Sequence, residues 1–137
     1  MELSIKELLP WEKFPVTYSQ YRVLETIFRM KRCLLTQLSR ELNYAVSTCT
    51  ETVTRLVNKK LVKKRIDSED KRKTWVILTE KGNKLVEDII AEKNRLMREF
   101  RARLSKKEQE LFINIQRKLQ EIKAELRHSG EKFKIVR

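Results

Sequence analysis

The chain contains few of the residues on which enzyme active sites usually depend. Its 137 residues include one histidine, two cysteines, two glycines and two prolines. Acid–base and nucleophilic catalysis usually needs His, Cys or paired carboxylates that the fold brings together. The only histidine, His128, lies among charged residues at the end of a predicted helix, where a solvated side chain is expected. We therefore expect no enzyme activity.

The scarcity of Cys, His and Gly also argues against bound cofactors. The sequence contains neither a CxxC nor an HExxH motif, so a zinc site within one chain is not expected. The two glycines, Gly82 and Gly130, are too far apart to form a glycine-rich phosphate loop. The sequence predicts neither a cofactor nor a metal ion.

Long apolar runs are missing as well. No stretch approaches the roughly 18 apolar residues that span a bilayer, and the first residues, MELSIKELLPW, lack the charged-then-apolar order of a signal peptide. We therefore expect a cytoplasmic protein without membrane contact. In a reducing compartment, Cys33 and Cys49 are expected to be thiols.

The residues that are abundant favour helices and a polyanionic partner. Charged residues make up 37% of the chain and aromatics only 7%, which is typical of a mainly α fold in a single domain. The net charge of +13 predicts attraction to nucleic acid first and to anionic surfaces second. The excess of Lys and Arg extends along the whole chain, so net charge alone does not locate a binding surface.

Three consecutive helices are predicted in the first half of the chain. Ser19 is expected to cap the first helix and Thr36 the second. The second should end near Asn43, because asparagine tolerates the left-handed conformation of a tight turn. After about four residues Ser47 is expected to cap the third helix, over residues 47–59. Two short helices joined by such a turn form a helix-turn-helix.

The third helix is predicted to carry a polar outer face. Its spacing places Cys49, Val53 and Leu56 on one inward side, where Cys49 would be a small core residue. The side chains expected on the outer face or its flanks are Ser47, Thr48, Thr50, Glu51, Thr54, Arg55 and Asn58. Arg55 has the donors to contact guanine. Glu51 has three open roles: it accepts from cytosine, orients Arg55, or is a plain surface charge.

Residues 61–79 are predicted to form a basic hairpin. Apolar and charged residues alternate from Leu61, as in a strand, and a turn is expected at residues 67–70. Basic side chains lie on both sides of this turn: Lys63, Lys64 and Arg65 before it, and Lys71, Arg72 and Lys73 after it. Next to a helix-turn-helix, such a hairpin favours contact with DNA phosphates or the minor groove, although a solvated face is the simpler alternative.

Two long helices are predicted to follow the hairpin. The first should run from about Glu80 to Arg103, and a capping box from Ser105 to Glu108 should start the second. Their apolar stripes are wider than one small core can cover, which indicates a partner subunit. The side chains expected at this interface, with those of a short N-terminal helix, are Leu3, Ile5, Leu8, Leu111, Phe112, Ile115, Leu119 and Ile122.

Cys33 raises a separate hypothesis. It precedes the predicted connector of residues 34–36, where we expect a partly exposed thiol. An exposed thiol with a lowered pKa would be a candidate redox switch. The simpler alternative is an ordinary cysteine without such a role.

Five pieces of the chain follow one another in a characteristic order: TYSQYRVL at 17–24, LTQL at 35–38, VTRL at 53–56, LVKKR at 61–65 and DKRKTWVILTEKG at 70–82. In this order residues 17–104 resemble the MarR family of winged-helix transcription regulators. The last piece is the most specific, since it resembles the family's D-x-R…L-T-x-x-G wing. Two departures are clear. Lys60 replaces the glycine usual before Leu-Val, and Glu51 stands where the family often has a basic or polar residue.

The resemblance implies a homodimer that binds double-stranded DNA at a pseudo-palindromic operator and acts as a repressor. Residues 19–79 would be the winged helix-turn-helix, with 1–18 and 80–128 forming dimerisation helices and 129–137 an unassigned tail. Arg72 would reach DNA at the wing tip, steadied by Asp70, and Thr36 would lie near DNA at the supporting helix. A small-molecule effector is also implied. The alternative is a low-specificity protein that coats or shapes DNA.

Overall fold

The computed structural model describes residues 5–129. Its elements in chain order are α1 (Ile5–Leu8), a single turn of 3-10 helix (Trp11–Lys13), α2 (Tyr18–Met30), β1 (Arg32–Leu34), α3 (Leu35–Leu42), α4 (Val46–Asn58), β2 (Val62–Ile66), β3 (Thr74–Leu78), α5 (Glu80–Arg103) and α6 (Lys106–His128). The fold is mainly helical with one small antiparallel sheet, as predicted. Within the described chain, residues 5–94 and 95–129 form two compact units. None of the described helices has the length and apolar content needed to cross a bilayer.

The core of the first unit is formed by α2, α3 and α4 against the sheet. The N-cap of helix α2 lies two residues earlier than predicted: it is Thr17, not Ser19, in a reciprocal capping box with Gln20. The hydroxyl oxygen of Thr17 accepts a hydrogen bond from the Gln20 amide at 3.2 Å. This satisfies donors that helix formation leaves free. The buried face of α2 then contributes Leu24 and Ile27 to the core.

The segment before α2 packs its aromatic side chains together. Trp11 lies 5.3–5.6 Å from the rings of Phe14, Tyr18 and Tyr21. The two prolines, Pro10 and Pro15, predict an extended connector here, whereas the structure has a 3-10 turn at Trp11–Lys13. The turn places the indole against the start of α2.

The sheet contains a strand that the sequence analysis does not predict. Its order is β1-β3-β2, with both pairs antiparallel. Cys33 of β1 and Lys64 of β2 both lie opposite Val76, which is fully buried at the centre of β3. The three residues of β1 therefore close the sheet on the side away from β2.

Both helix caps predicted for the helix-turn-helix are wrong by two residues. Leu34 and Ala45 occupy the N-cap positions in extended conformation, so Thr36 and Ser47 lie inside the first turns of α3 and α4. The turn between the helices is as predicted, because Asn43 has φ 54° and ψ 41°. The Ser39 hydroxyl donates to the Tyr44 carbonyl at 2.6 Å and fixes the turn.

A close backbone approach joins the two ends of the hairpin. Lys60 has φ 62°, a left-handed conformation in the position where the resemblance leads us to expect glycine. The Thr79 amide donates to the Leu61 carbonyl at 3.0 Å, and the Thr79 hydroxyl donates to the Lys60 carbonyl at 2.7 Å. A Cβ atom on Gly82 would overlap the Leu61 carbonyl oxygen. The Leu-Thr-x-x-Gly motif is therefore a packing requirement.

The second unit contains the end of α5 and all of α6. Ser105 and Glu108 form the predicted capping box at the start of α6. The Gln109 side chain donates to the carbonyls of Arg101 and Leu104 at 2.7 and 3.0 Å, which ties the connection to α6. No residue of α6 is buried.

Candidate nucleic-acid interface

Helix α4 separates an apolar side from a polar side, as its spacing predicts. Cys49, Val53 and Leu56 are fully buried. The exposed side chains on the other side are Ser47, Thr48, Glu51, Thr54, Arg55 and Asn58, with Thr50 half-buried at the flank. Thr36 is exposed in the first turn of α3. The helix thus presents a continuous polar face to solvent.

An ion pair lies on this polar face. The Arg55 guanidinium donates from Nη2 to Glu51 Oε1 at 2.8 Å, one helical turn earlier. Both side chains face solvent, since 63% of the Arg55 side chain and 67% of the Glu51 side chain are exposed. This contact is compatible with Glu51 orienting Arg55, which is one of the three roles left open for Glu51.

The threonine hydroxyls of α4 already have partners within the helix. Those of Thr50, Thr52 and Thr54 each donate to the backbone carbonyl four residues earlier, at 2.9 Å. Their oxygen atoms remain available as acceptors, because a hydroxyl has one donor and two acceptor positions. Thr54 uses one of these positions to accept from Lys64 Nζ at 3.3 Å. This contact joins strand β2 of the wing to α4.

One exposed residue of α4 is absent from the predicted site. Val46 is the first residue of the helix and is 50% exposed. Because Ser47 carries the capping signal, the sequence pattern places Val46 in the turn before the helix. Extending the outer face of α4 backward from Thr50 by one helical turn would have included it.

The loop between β2 and β3 is organised by Asp67. Its carboxylate accepts from the Trp75 indole at 2.8 Å and from the amides of Glu69 and Asp70 at 2.9 and 3.0 Å. The Trp75 hydrogen bond is the largest of the effects that lower the pKa of Asp67 to about 2. The Arg32 guanidinium lies 4.3 Å from the centre of the Trp75 ring, on the same strand pair. The loop is therefore held by a charged acceptor at physiological pH.

The tip of the loop exposes its basic side chains. Arg72 is the most prominent, with 91% of its side chain in solvent. Asp70 accepts from the Arg72 backbone amide at 3.0 Å and from Arg72 Nε at 3.2 Å. The hydrogen bond from the Arg72 side chain is the main cause of a lowered pKa for Asp70. The other predicted basic residues of the hairpin are also exposed: Lys63, Lys64, Arg65, Lys71 and Lys73.

The expected exposure of Cys33 is wrong. Cys33 lies in β1 with no solvent exposure, and burial, followed by the proximity of Cys49, raises its pKa to about 11. A buried thiol with a raised pKa forms little thiolate at neutral pH, which is the opposite of what a redox switch needs. The sequence could not show this, because the short strand that buries Cys33 was not predicted.

The predicted dimer residues differ in exposure. Ile5 and Leu8 in the first unit are half-buried, and Leu3 lies outside the described residues. In α6, Leu111, Ile115, Leu119 and Ile122 are between 41% and 53% exposed, and Phe112 is half-buried. Across residues 5–129, no group of three or more His, Cys, Asp or Glu side chains is arranged to hold a metal ion.

A polar helix face beside an ordered basic hairpin defines a winged helix-turn-helix. Residues 16–74, somewhat less than half of the chain, match the MarR family model, so the predicted resemblance is confirmed for this segment. A curated relative, the transcriptional regulator HosA of Escherichia coli O157:H7, is 38% identical over 73 residues, which are 53% of this chain and 54% of HosA. The chain spans about half the length of the HosA proteins it matches.

Solved structures confirm the fold. The YusO protein of Bacillus subtilis has a TM-score of 0.74 at 24% identity, covering 80% of this chain and 78% of YusO. A mutant of E. coli MarR in complex with operator DNA has a TM-score of 0.62 at 23% identity, covering 84% of this chain and 81% of MarR.

Proposed function

We propose that the protein is a dimeric, sequence-specific regulator of transcription in the cytoplasm, and that it acts as a repressor by occupying an operator. Helix α4 would enter the major groove and the hairpin β2–β3 would contact the adjoining minor groove. The proposal follows the family of residues 16–74 and the regulators that match it. The MarR structure solved with operator DNA has the same fold.

The observation that carries this proposal is the solvent-exposed polar face of α4 together with its link to the wing. The Lys64–Thr54 contact connects strand β2 of the hairpin to helix α4, the two elements that would contact neighbouring grooves of the DNA. At the wing tip, Asp70 orients an otherwise fully solvated Arg72. Ordering a long cation before binding lowers the conformational entropy lost when it meets a phosphate or the minor-groove floor.

The test is the salt dependence of DNA binding. Duplexes enriched from a random pool by the full chain are titrated by fluorescence anisotropy at several salt concentrations. A plot of the logarithm of the affinity against the logarithm of the salt concentration should have a slope of about −0.9 per neutralised phosphate. Arg72→Ala should weaken binding and reduce the steepness of the slope by about one. Lys84→Ala, which removes an equal charge from the exposed surface of α5, is the matched control and should keep the wild-type slope.

Competition with random DNA separates this proposal from a low-specificity coating or architectural protein. A regulator should prefer its enriched site by about 10³-fold or more. A preference near unity, with salt-sensitive affinity retained, would support the coating protein instead. Wild-type slopes for Arg72→Ala and Lys64→Ala together would contradict the proposed role of the wing.

The second part of the proposal is the homodimer. Four exposed apolar residues of α6 recur at helical spacing and form one stripe along the helix: Leu111, Ile115, Leu119 and Ile122. A second copy would cover this stripe, with Ile5 and Leu8 adding to the interface. Twofold pairing of this kind matches a pseudo-palindromic operator, because dimer symmetry and half-site symmetry coincide.

A further inference from the structure

The carboxylate of Glu51 is the unusual group on the outer face of α4. It lies near the middle of that face, between Ser47 one turn before it and Asn58 two turns after it. A carboxylate accepts hydrogen bonds but donates none, so it gains nothing from phosphates, guanine N7 and O6, adenine N7 or thymine O4. In the major groove only the amino groups of cytosine and adenine offer it a hydrogen. Glu51 therefore restricts the DNA that can approach this face.

The contact between Glu51 and Arg55 further limits which base pairs can approach this face. Arg55 uses Nη2 to donate to Glu51, and the remaining guanidinium N–H groups lie in the same plane, free to donate elsewhere. The pair therefore presents donors on the Arg55 side and an acceptor, the second carboxylate oxygen, on the Glu51 side. With this contact in place, the groups along the helix face follow the order donor, donor, acceptor.

That order matches one base pair. Read across the major groove from the purine, a G·C pair presents acceptor, acceptor, donor, which are guanine N7, guanine O6 and the cytosine amino group. An A·T pair presents acceptor, donor, acceptor, and mismatches the pair at two positions. A C·G pair has the right groups in the reverse order.

We propose that the Glu51–Arg55 pair reads one G·C base pair of each half-site in a fixed orientation, with Arg55 donating to guanine and Glu51 accepting from the cytosine amino group. The inference rests on the proposed function and names the base pair that the same surface selects. Glu51 is a specificity residue here, since its charge weakens binding to any duplex that offers no donor. An exposed ion pair one helical turn apart contributes little to folding, so removing Glu51 should leave stability nearly unchanged.

The experiment starts from a duplex enriched from a random pool by the wild-type full chain. Each G·C pair of the half-site is replaced by A·T and by C·G to find the pair that matters. Its cytosine is then replaced by N4-methylcytosine, which still pairs with guanine but lacks the amino hydrogen in the major groove. We expect this methyl group to weaken wild-type binding by about 10-fold, as for the loss of one specific base contact.

The variants Glu51→Ala and Glu51→Gln decide the assignment. Glu51→Ala should bind the methylated and unmethylated duplexes within about 2-fold of each other, and it should bind random DNA more tightly than the wild type. Glu51→Gln, whose amide both donates and accepts, should tolerate A·T at the same position. The matched control is Glu87→Gln, which removes the same charge from an exposed position of α5 and should keep the wild-type methyl penalty. Thermal unfolding of each variant verifies that folding is intact.

The possible outcomes distinguish a failure of the proposed function from a failure of the base-pair assignment. If the wild-type chain enriches no duplex, the proposed function fails. If it enriches a duplex but Glu51→Ala retains the full penalty for N4-methylcytosine, the base-pair assignment is overturned and the proposed function stands. The assignment is also overturned if no G·C pair in the half-site affects wild-type binding.

Discussion

Residues 5–94 bury most of their apolar side chains within one chain, whereas α6 in residues 95–129 leaves its apolar stripe in solvent. Leu56 of α4 is fully buried, while Leu119 of α6 is 45% exposed. Both residues are leucines on amphipathic helices, so their sequence patterns look alike. Amphipathic spacing therefore identifies an apolar helix face that must be buried. Only the structure shows whether the same chain buries it.

Alanine substitutions at the two leucines should change the stability of the protein in different ways. Leu56→Ala should lower the free energy of unfolding by about 2–5 kcal/mol at every protein concentration, because it leaves a cavity in a closed core. Leu119→Ala should lower stability mainly at high concentration, where the proposed dimer covers the side chain. Urea unfolding at two concentrations, with light scattering for the oligomeric state, measures both. A concentration-independent loss for Leu119→Ala would contradict the dimer proposed through α6.

A second substitution tests the close approach between Gly82 and the Leu61 carbonyl, which lies within residues 5–94. Gly82→Ala should lower the free energy of unfolding by about 1–3 kcal/mol, because the added methyl group meets the Leu61 carbonyl rather than a side chain that can move. Lys84→Ala, two residues later on the exposed side of α5, should stay within about 0.5 kcal/mol of the wild type. Thermal and urea unfolding check the pair. Equal stabilities for the two variants would show that the backbone at Leu61 yields to the methyl group.

The smallest change in stability is expected at Asp67, in the loop between β2 and β3. The folded pKa of Asp67 is about 2, below the unfolded value near 3.9. Its stabilisation of the wing is therefore complete above about pH 4 and is lost as the pH falls through the folded pKa. Asp67→Asn should unfold at a lower temperature than the wild type at pH 7, and the difference should shrink towards pH 2. Glu69→Gln in the same loop is the control, and a pH-independent difference for Asp67→Asn would rule out the charge as the cause.

The sequence predicted the long elements well, because many residues contributed to each pattern. The helix from Glu80 to Arg103 and the capping box at Ser105 agree with the structure. The inward face of α4 follows from three residues at helical spacing and is also correct. Such patterns are set by local geometry and need no knowledge of the rest of the fold.

The errors fall where tertiary contacts override local signals. Strand β1 has three residues, too few for a period, and it exists because β3 lies beside it. Ser19, Thr36 and Ser47 carried good capping signals, but the turns that precede their helices placed Thr17, Leu34 and Ala45 at the caps instead. The exposure of Cys33 depended on the same missing strand.

The hydrogen bonds between Thr79 and the Lys60–Leu61 backbone make the wing a closed module. The chain enters and leaves the hairpin at one point, so the end of α4 and the start of α5 are fixed to each other there. Changes in length or composition within residues 67–73 would then be absorbed by the loop itself. A chain built this way can exchange one wing tip for another while α4, the helix proposed to enter the major groove, keeps its place.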